Sequence, residues 1–242
     1  MTKNGSFEFF EDYSSAVQNL QPELYCEIKR ILNNEFRLFY EINKRKPVVL
    51  DIGSAGVLPY DVNLTENIVI LDLFNKPNIL QLKENCEWIT GDILSDQIVP
   101  ILLKKDKFDF IIMSSLLHHL CDDNNNIIKN LKIAFFHSRE LLSKIGKICI
   151  FESTCSKPLT KMEDLVYPIY SRILLKVLKF TYVRMVSVNE ITTSLHHSEL
   201  QTEIIPFKQP RHIAQMYWRI PTAIYPLKIM AIFAYNPQIN GN

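Results

Sequence analysis

One segment of the chain, residues 48–56, limits the fold more than any other. It opens with apolar residues directly after Pro47, which is typical of a buried strand that starts at a proline. The strand carries Asp51 near its end, and Gly53 and Gly56 then allow a tight turn, because glycine adopts backbone conformations that other residues avoid. A buried strand that leads into an acidic, glycine-containing turn predicts a ligand site at the carboxyl edge of a parallel sheet.

Apolar strands alternate with helical segments in the rest of the chain. Apolar residues at helical spacing predict helices over residues 7–43 and 125–142. The predicted strands span residues 46–52, 67–72, 87–90, 108–113, 147–152, 203–207 and 228–235. Such alternation is typical of parallel sheets covered by helices. We therefore predict an α/β fold with a doubly wound, mostly parallel seven-stranded sheet, an antiparallel last strand and a helical cover.

The pattern changes after the fifth predicted strand, where a long aromatic-rich helix is predicted over residues 161–184. No Gly/Ser-rich linker interrupts the chain, so we predict one folding unit with three parts. Residues 1–44 form an N-terminal helical cover, and residues 45–155 and 187–237 form the core. Residues 156–186 form a helical insertion that serves as a lid or as a dimer contact.

Charge and composition exclude several classes of protein. Lys and Arg total 27 against 26 for Asp and Glu, so the basic excess of a general nucleic-acid binder is absent. The five cysteines are scattered without a Cys-x-x-Cys pair, so we predict no metal site and a reducing, cytoplasmic location. The most apolar later stretch, residues 167–188, is interrupted by basic residues, which predicts no integral membrane segment.

Three acidic residues, Asp51, Asp72 and Asp92, fall at the carboxyl ends of three successive predicted strands. The carboxyl ends of parallel strands share one edge, so together these acids suit a ligand with a ribose and a cationic aminoacyl group. Asp72 lies about 20 residues after the turn, where a carboxylate can accept hydrogen bonds from ribose hydroxyls. Each aspartate alone would also fit a helix cap or a turn. Gly146, by contrast, is predicted to lie in an ordinary helix-to-strand turn.

Residues 45–155 resemble the class I, Rossmann-like S-adenosylmethionine-dependent methyltransferases. The segment from Val48 to Gly56 resembles that family's first motif, hydrophobic-hydrophobic-Asp-x-Gly-x-Gly-x-Gly, with Ala55 where the second glycine is usual. Dinucleotide dehydrogenases are the nearest alternative, but their G-x-G-x-x-G loop requires glycines that this turn lacks. The resemblance implies S-adenosylmethionine as the cofactor.

The same resemblance assigns individual residues to the cofactor. Gly53 and Ala55 would approach its methionine part, and Asp51 would face its ammonium group. Asp72 resembles the ribose-binding acid, and Asp92 resembles the carboxylate that meets the adenine amino group. The implied cofactor-binding residues are Tyr13, Asp51, Gly53, Ala55, Asp72, Leu73, Asp92, Ile93 and Ser114.

A histidine pair after the fourth predicted strand is the candidate for the chemistry. Residues 116–123 resemble the segment of small-molecule O-methyltransferases that carries the general base, and His118 matches its histidine. Glu152, at the end of the fifth strand, resembles a second carboxylate of those sites. A base matters most when the acceptor is a hydroxyl. The alternative is that His118 packs against the cofactor or a helix and moves no proton, and His119 is interpreted as structural.

The predicted function is transfer of a methyl group from S-adenosylmethionine to a small, largely apolar metabolite, on a hydroxyl oxygen. The alternatives are N- or C-methylation, or a non-catalytic or non-methylating relative on the same scaffold. The near-zero net charge favours a small-molecule acceptor over a nucleic acid. The basic, apolar helix at residues 170–184 indicates a homodimer contact, with a membrane surface as the alternative. Candidates for lining an acceptor pocket are Arg211, His212, Trp218 and Arg219.

Overall fold

The computed structural model describes residues 22–77, 81–122, 124–176, 183–208 and 226–237. The strands are β1 (Val48–Ile52), β2 (Asn67–Asp72), β3 (Cys86–Thr90), β4 (Phe108–Ser114), β5 (Leu142–Thr154), β6 (Gln201–Ile205) and β7 (Lys228–Tyr235). The α-helices are α1 (Pro22–Asn43), α2 (Ile98–Leu103), α3 (Ile127–Leu141), α4 (Lys157–Lys176) and α5 (Val188–His197). Short 3-10 helices span Val62–Leu64 and Leu117–His119.

All seven strands belong to one sheet with the order β3-β2-β1-β4-β5-β7-β6. Strands β1 to β5 run parallel, and β1 lies between β2 and β4. Strand β7 is antiparallel to both of its neighbours, β5 and β6. The predicted α/β fold, with a mostly parallel seven-stranded sheet and an antiparallel last strand, is therefore confirmed.

Helices cover both faces of the sheet, because the central strands are apolar on both sides. On one face, α1 buries Ile28, Leu32 and Phe36 against β1, β2 and β4. On the other face, α3 and α5 bury Leu131 and Leu195 against the same sheet. Helix α1 thus packs directly on the sheet, and the predicted division into cover, core and insertion stays a prediction. Within the described ranges, no helix is both long and apolar enough to cross a membrane.

Strand β5 is longer than the sequence pattern predicts, because it starts at Leu142 rather than at Lys147. Gly146 therefore lies inside a strand, and the prediction of a helix-to-strand turn at this residue is wrong. A Cβ atom at Gly146 would lie 2.8 Å from the carbonyl oxygen of Phe108. The glycine allows β4 and β5 to approach closely where the register between them shifts.

The helix predicted over residues 161–184 also differs from the structure. Helix α4 begins earlier, at Lys157, and Arg184 lies outside it in an extended stretch that leads to α5. Val186 in this stretch forms a parallel bridge with Thr154 at the end of β5. The residues that lead directly into α5 therefore pass the carboxyl end of β5.

Candidate functional site

The described candidate residues converge at the carboxyl edge of the sheet. Asp51 lies near the end of β1, Asp72 ends β2, and Ser114 ends β4. Asp92 follows β3, and Glu152 lies near the end of β5. Because these five strands are parallel, the side chains at their carboxyl ends share one edge, as the sequence predicts.

The turn after β1 is tight because three of its residues use left-handed backbone. The φ angles are +72° at Gly53, +51° at Ala55 and +82° at Gly56. The Gly53 amide donates a hydrogen bond of 2.9 Å to the carbonyl of Leu71. A Cβ atom at Gly53 would lie 2.6 Å from Cδ1 of Leu116, so a larger residue would require the Leu116 side chain to shift and would be strained by the positive φ. Ala55 adopts a glycine-like conformation at a cost of about 1 kcal/mol.

Asp51 is a buried carboxylate beneath this turn. Its exposed fraction is 1%, and the Tyr60 hydroxyl donates a hydrogen bond of 2.9 Å to Oδ2. Burial raises the pKa of Asp51 to about 7, and the hydrogen bond from Tyr60 opposes only part of this shift. The Ser54 hydroxyl lies beside the carboxylate, and its buried oxygen makes no well-formed hydrogen bond within the described part of the chain. A cationic partner would therefore stabilise the ionised form of Asp51.

The sequence pattern did not identify Tyr60, which lies nine residues beyond Asp51. Helix α1 holds the region in place, since the Phe36 ring meets the Tyr60 ring edge-on at 5.4 Å between centroids. Asn33 of the same helix accepts a hydrogen bond of 2.9 Å from the Asp61 amide. The available signal was chemical: a buried tyrosine hydroxyl requires a hydrogen-bond partner.

Asp72 joins the turn after β1 to the chain that follows β2. Its Oδ2 atom accepts a hydrogen bond of 3.0 Å from the Ala55 amide, and Oδ1 accepts one of 3.1 Å from the Phe74 amide. Burial raises the pKa of Asp72, and these backbone hydrogen bonds oppose the shift. The adjacent Leu73 is 62% exposed. A carboxylate beside an exposed apolar surface suits the ribose and base of a nucleoside.

The turn after β3 carries Asp92, which is exposed and accepts a hydrogen bond of 2.8 Å from the Leu94 amide. The next residue, Ile93, is buried, and its carbonyl lies 2.7 Å from Nδ1 of His137 in α3. The other ring nitrogen of His137 lies 3.1 Å from Oδ1 of Asp96. Helix α3 thus fixes this turn through a buried histidine that the sequence pattern did not single out.

The chain turns sharply after Ser114, which is half-buried. Ser115 has a φ angle of +51°, and its amide donates a hydrogen bond of 2.8 Å to the carbonyl of Phe151 in β5. This turn carries the following 3-10 helix across the ends of β4 and β5. The candidates outside the described residues are Tyr13, Arg211, His212, Trp218 and Arg219.

His118 and Glu152 form a close pair at the ends of β4 and β5. Nδ1 of His118 lies 2.8 Å from Oε1 of Glu152, and Oε2 of this buried carboxylate accepts a hydrogen bond of 2.7 Å from the Leu117 amide. A carboxylate facing Nδ1 favours the proton on that nitrogen, so Nε2 carries the lone pair. Burial lowers the pKa of His118, but the charge and hydrogen bond of Glu152 outweigh it, and the net shift is upward. The His119 ring lies against the His118 ring, with 4.1 Å between centroids.

Arg184, in the stretch between α4 and α5, supports this pair from behind. Its amide donates a hydrogen bond of 3.0 Å to the carbonyl of His118. Its buried guanidinium group forms ion pairs of 2.9 Å with Asp164 and with Glu190. The sequence pattern missed this role because it placed Arg184 inside a helix, where its amide would bond within the helix.

No protein-family model matches the chain, and no curated protein matches it in sequence. Solved structures do match the fold. The YcgJ protein from Bacillus subtilis superposes with a TM-score of 0.53 at 15% sequence identity, covering 84% of this chain and 98% of that chain. The CurJ carbon methyltransferase superposes with a TM-score of 0.57 at 17% identity, covering 93% of this chain and 59% of CurJ.

The strand order and this similarity define the fold as that of the class I, Rossmann-like methyltransferases. The fold expected from the resemblance of residues 45–155 is therefore confirmed. Because the sequence identities are low, the similarity concerns the fold, and the chemistry has to be argued from the site itself.

Proposed function

We propose that this chain transfers the methyl group of S-adenosylmethionine to a small, largely apolar acceptor, on a hydroxyl oxygen. The observation that supports this most is the 2.8 Å pair of His118 and Glu152. It lies on the same edge of the sheet as Asp51, Asp72 and the glycine turn. A base beside a cofactor site serves an acceptor that has to lose a proton.

The residues at this edge fit the chemistry of S-adenosylmethionine. Asp51 is a buried carboxylate suited to the ammonium group, and the tight turn at Gly53 and Ala55 would place backbone beside the methionine part. The Asp72 carboxylate retains lone pairs for ribose hydroxyls, since each oxygen accepts one backbone hydrogen bond. Leu73 offers an exposed apolar surface to the adenine ring, and Asp92 offers a carboxylate oxygen to its amino group.

Once bound, the cofactor supplies a methyl group attached to a positively charged sulfur, and the protein supplies position and a route for the proton. His118, with Nδ1–H donated to Glu152, holds a neutral Nε2 that takes the hydroxyl proton of the acceptor. With its proton removed, the acceptor oxygen would take the methyl group from the bound donor, and S-adenosylhomocysteine would be the other product. Glu152 keeps the ring in this tautomer and stabilises the imidazolium ion that forms.

A His118→Gln variant tests the role of the base. Its kcat is expected to fall by about 10²- to 10⁴-fold, because a positioned base contributes that much to proton transfer. Its Kd for S-adenosylmethionine is expected to stay unchanged. Formation of S-adenosylhomocysteine from a panel of phenols and alcohols measures the first, and isothermal titration calorimetry measures the second. The control is His196→Gln, at an exposed histidine that bonds Thr202 instead, and it is expected to turn over like the wild type.

Full turnover by His118→Gln would contradict the proposal that His118 is the base. Failure of the wild type to bind S-adenosylmethionine at high micromolar concentration would contradict the proposal that the chain is a methyltransferase. Cofactor binding without S-adenosylhomocysteine formation would indicate a non-methylating relative. An acceptor with an acidic C–H would use the same base, whereas an amine reacts unaided once neutral. NMR of the product made from ¹³C-methyl-labelled cofactor separates O-methyl, C-methyl and N-methyl groups.

A further inference from the structure

Helix α4 presents a row of exposed apolar side chains, called here the α4 stripe. Its most exposed members are Leu165 at 83%, Ile169 at 68% and Met162 at 65%, and Leu159 and Val166 complete it. Residues spaced three and four positions apart lie on one face of a helix, so the five side chains adjoin one another. A contiguous exposed apolar surface of this kind marks an interaction site.

The other side of α4 already packs against the protein. Thr160 and Tyr167 are buried, and the Tyr167 hydroxyl donates a hydrogen bond of 2.9 Å to the carbonyl of Asp122. The helix is therefore seated, and the α4 stripe faces away from the core of the described structure. The helix therefore has two apolar faces. One packs against the protein, and the α4 stripe is the other.

The charges on α4 indicate what kind of partner would cover the stripe. Both acidic residues of the helix bond inward: Glu163 accepts a hydrogen bond of 3.0 Å from the Met185 amide, and Asp164 pairs with Arg184 at 2.9 Å. The basic residues of the helix are Lys157 and Lys161, both exposed, and Arg172 and Lys176 nearer its end. With its acids engaged, the helix offers a partner apolar surface and positive charge.

We propose that the α4 stripe docks on an anionic lipid surface. A helix that lies in the plane of a membrane sinks its apolar face among the lipid headgroups, while flanking lysines meet the anionic headgroups. Such docking requires no membrane-spanning helix. A second copy of this chain fits less well, because α4 carries basic residues near both ends.

The position of α4 links this surface to the candidate site. Its inner side holds Asp164 against Arg184, whose amide bonds the carbonyl of His118. Docking would therefore bring the candidate base close to a membrane in which an apolar acceptor is dissolved. This consequence rests on the proposed function, whereas the docking itself does not.

Vesicle sedimentation tests the proposal with the entire 242-residue chain. The wild type is expected to sediment with phosphatidylcholine vesicles that contain phosphatidylserine, more weakly with pure phosphatidylcholine, and less at high salt, because salt screens the lysines. A Leu165→Asp/Ile169→Asp variant is expected to bind at least about tenfold more weakly, since each buried large apolar side chain contributes on that scale. The matched control is Ile42→Asp, at a residue 76% exposed on α1, which is expected to bind like the wild type.

Several outcomes would overturn the proposal. One is a wild type that leaves both kinds of vesicle in the supernatant, and another is equal, salt-independent binding to both. A dimer in analytical ultracentrifugation that the double variant converts to a monomer would assign the stripe to a second copy. A lower unfolding temperature of the double variant, without vesicle binding by the wild type, would assign it to other residues of the same chain. A double variant that keeps the wild-type unfolding temperature and loses vesicle binding supports the proposal.

Discussion

Asp51 is the candidate cofactor residue whose negative charge the fold stabilises least. It is fully buried, and its one well-formed hydrogen bond from a side chain comes from Tyr60. Asp72, by comparison, receives two backbone hydrogen bonds. A pKa of about 7 means that Asp51 changes its charge in the physiological range. An ammonium group placed beside it would supply the stabilisation that the fold does not provide.

The affinity for S-adenosylmethionine is therefore expected to fall as the pH drops below about 7. Only the ionised form of Asp51 pairs with the ammonium group, and below its pKa that form decreases by roughly tenfold per pH unit. Calorimetry at pH values on both sides of 7, in buffers with different ionisation enthalpies, measures Kd and the proton released on binding. A Kd that stays constant across this range, with no proton release, would contradict the role of Asp51.

The pKa of Asp51 also predicts a pH dependence of the stability of the cofactor-free protein, opposite in direction to that of cofactor affinity. A carboxyl group whose pKa is raised in the folded state stabilises the fold at low pH and loses this contribution as the pH rises through about 7. An Asp51→Asn variant should therefore raise the unfolding temperature more at alkaline than at acidic pH, while it weakens cofactor binding. Differential scanning calorimetry without cofactor measures the first effect.

At the scale of elements, the sequence predicted the helices and strands whose bounds depend on the local pattern of apolar residues. Strands β2 and β7 have the predicted bounds, because buried strands read as continuous apolar runs. The start of β5 could not be read, since α3 passes directly into it at Leu142 without a glycine or proline at the junction. Contacts between elements were also hidden, such as Tyr60 with Asp51 and His137 with Ile93, because no local pattern encodes a distant partner.

The contact between α3 and the turn after β3 leads to a prediction with two opposed variants. In His137→Asn, the side-chain amide stands near Nδ1 and keeps a donor for the carbonyl of Ile93, whereas in His137→Gln it stands near Nε2. His137→Gln is expected to raise the Kd for S-adenosylmethionine about fivefold more than His137→Asn, because it leaves a buried carbonyl without its donor beside Asp92. Calorimetry measures Kd, and kcat at saturating cofactor is expected to stay unchanged. Equal affinities of the two variants for S-adenosylmethionine, or a lower affinity of His137→Asn, would contradict a role of His137 in positioning the turn after β3.

At the scale of the whole molecule, the candidate site and an ionic cluster that stabilises the fold lie at opposite edges of the sheet. Asp109, at the beginning of β4, is fully buried and accepts two hydrogen bonds, of 2.6 and 2.8 Å, from Arg45. It also accepts hydrogen bonds of 3.0 Å from the Val48 amide and from the Ser143 hydroxyl. One carboxylate thus joins the beginnings of β1, β4 and β5, far from the carboxyl edge.

An Asp109→Ala variant is therefore expected to lose about 3 kcal/mol of unfolding free energy, since it removes a buried carboxylate that accepts hydrogen bonds from Arg45, Val48 and Ser143. Urea unfolding measures the loss. Its Kd for S-adenosylmethionine is expected to match the wild type under conditions where both are folded. The control is Glu87→Ala, which removes an exposed 2.8 Å pair with Lys105 and is expected to change stability by less than about 0.5 kcal/mol. A parallel loss of cofactor affinity in Asp109→Ala would contradict the separation of the two edges.

Strands β1 and β4 are neighbours at the centre of the sheet, and the seam between them separates two groups of strands. From this seam β2 and β3 extend the sheet on one side, and β5, β7 and β6 extend it on the other. The candidates for holding the methyl donor lie mainly on the first side, and His118, Glu152 and α4 lie on the second. Donor recognition and acceptor choice would then be encoded in separate halves of the sequence, so substitutions in the second half could retarget the enzyme while the donor half stays unchanged.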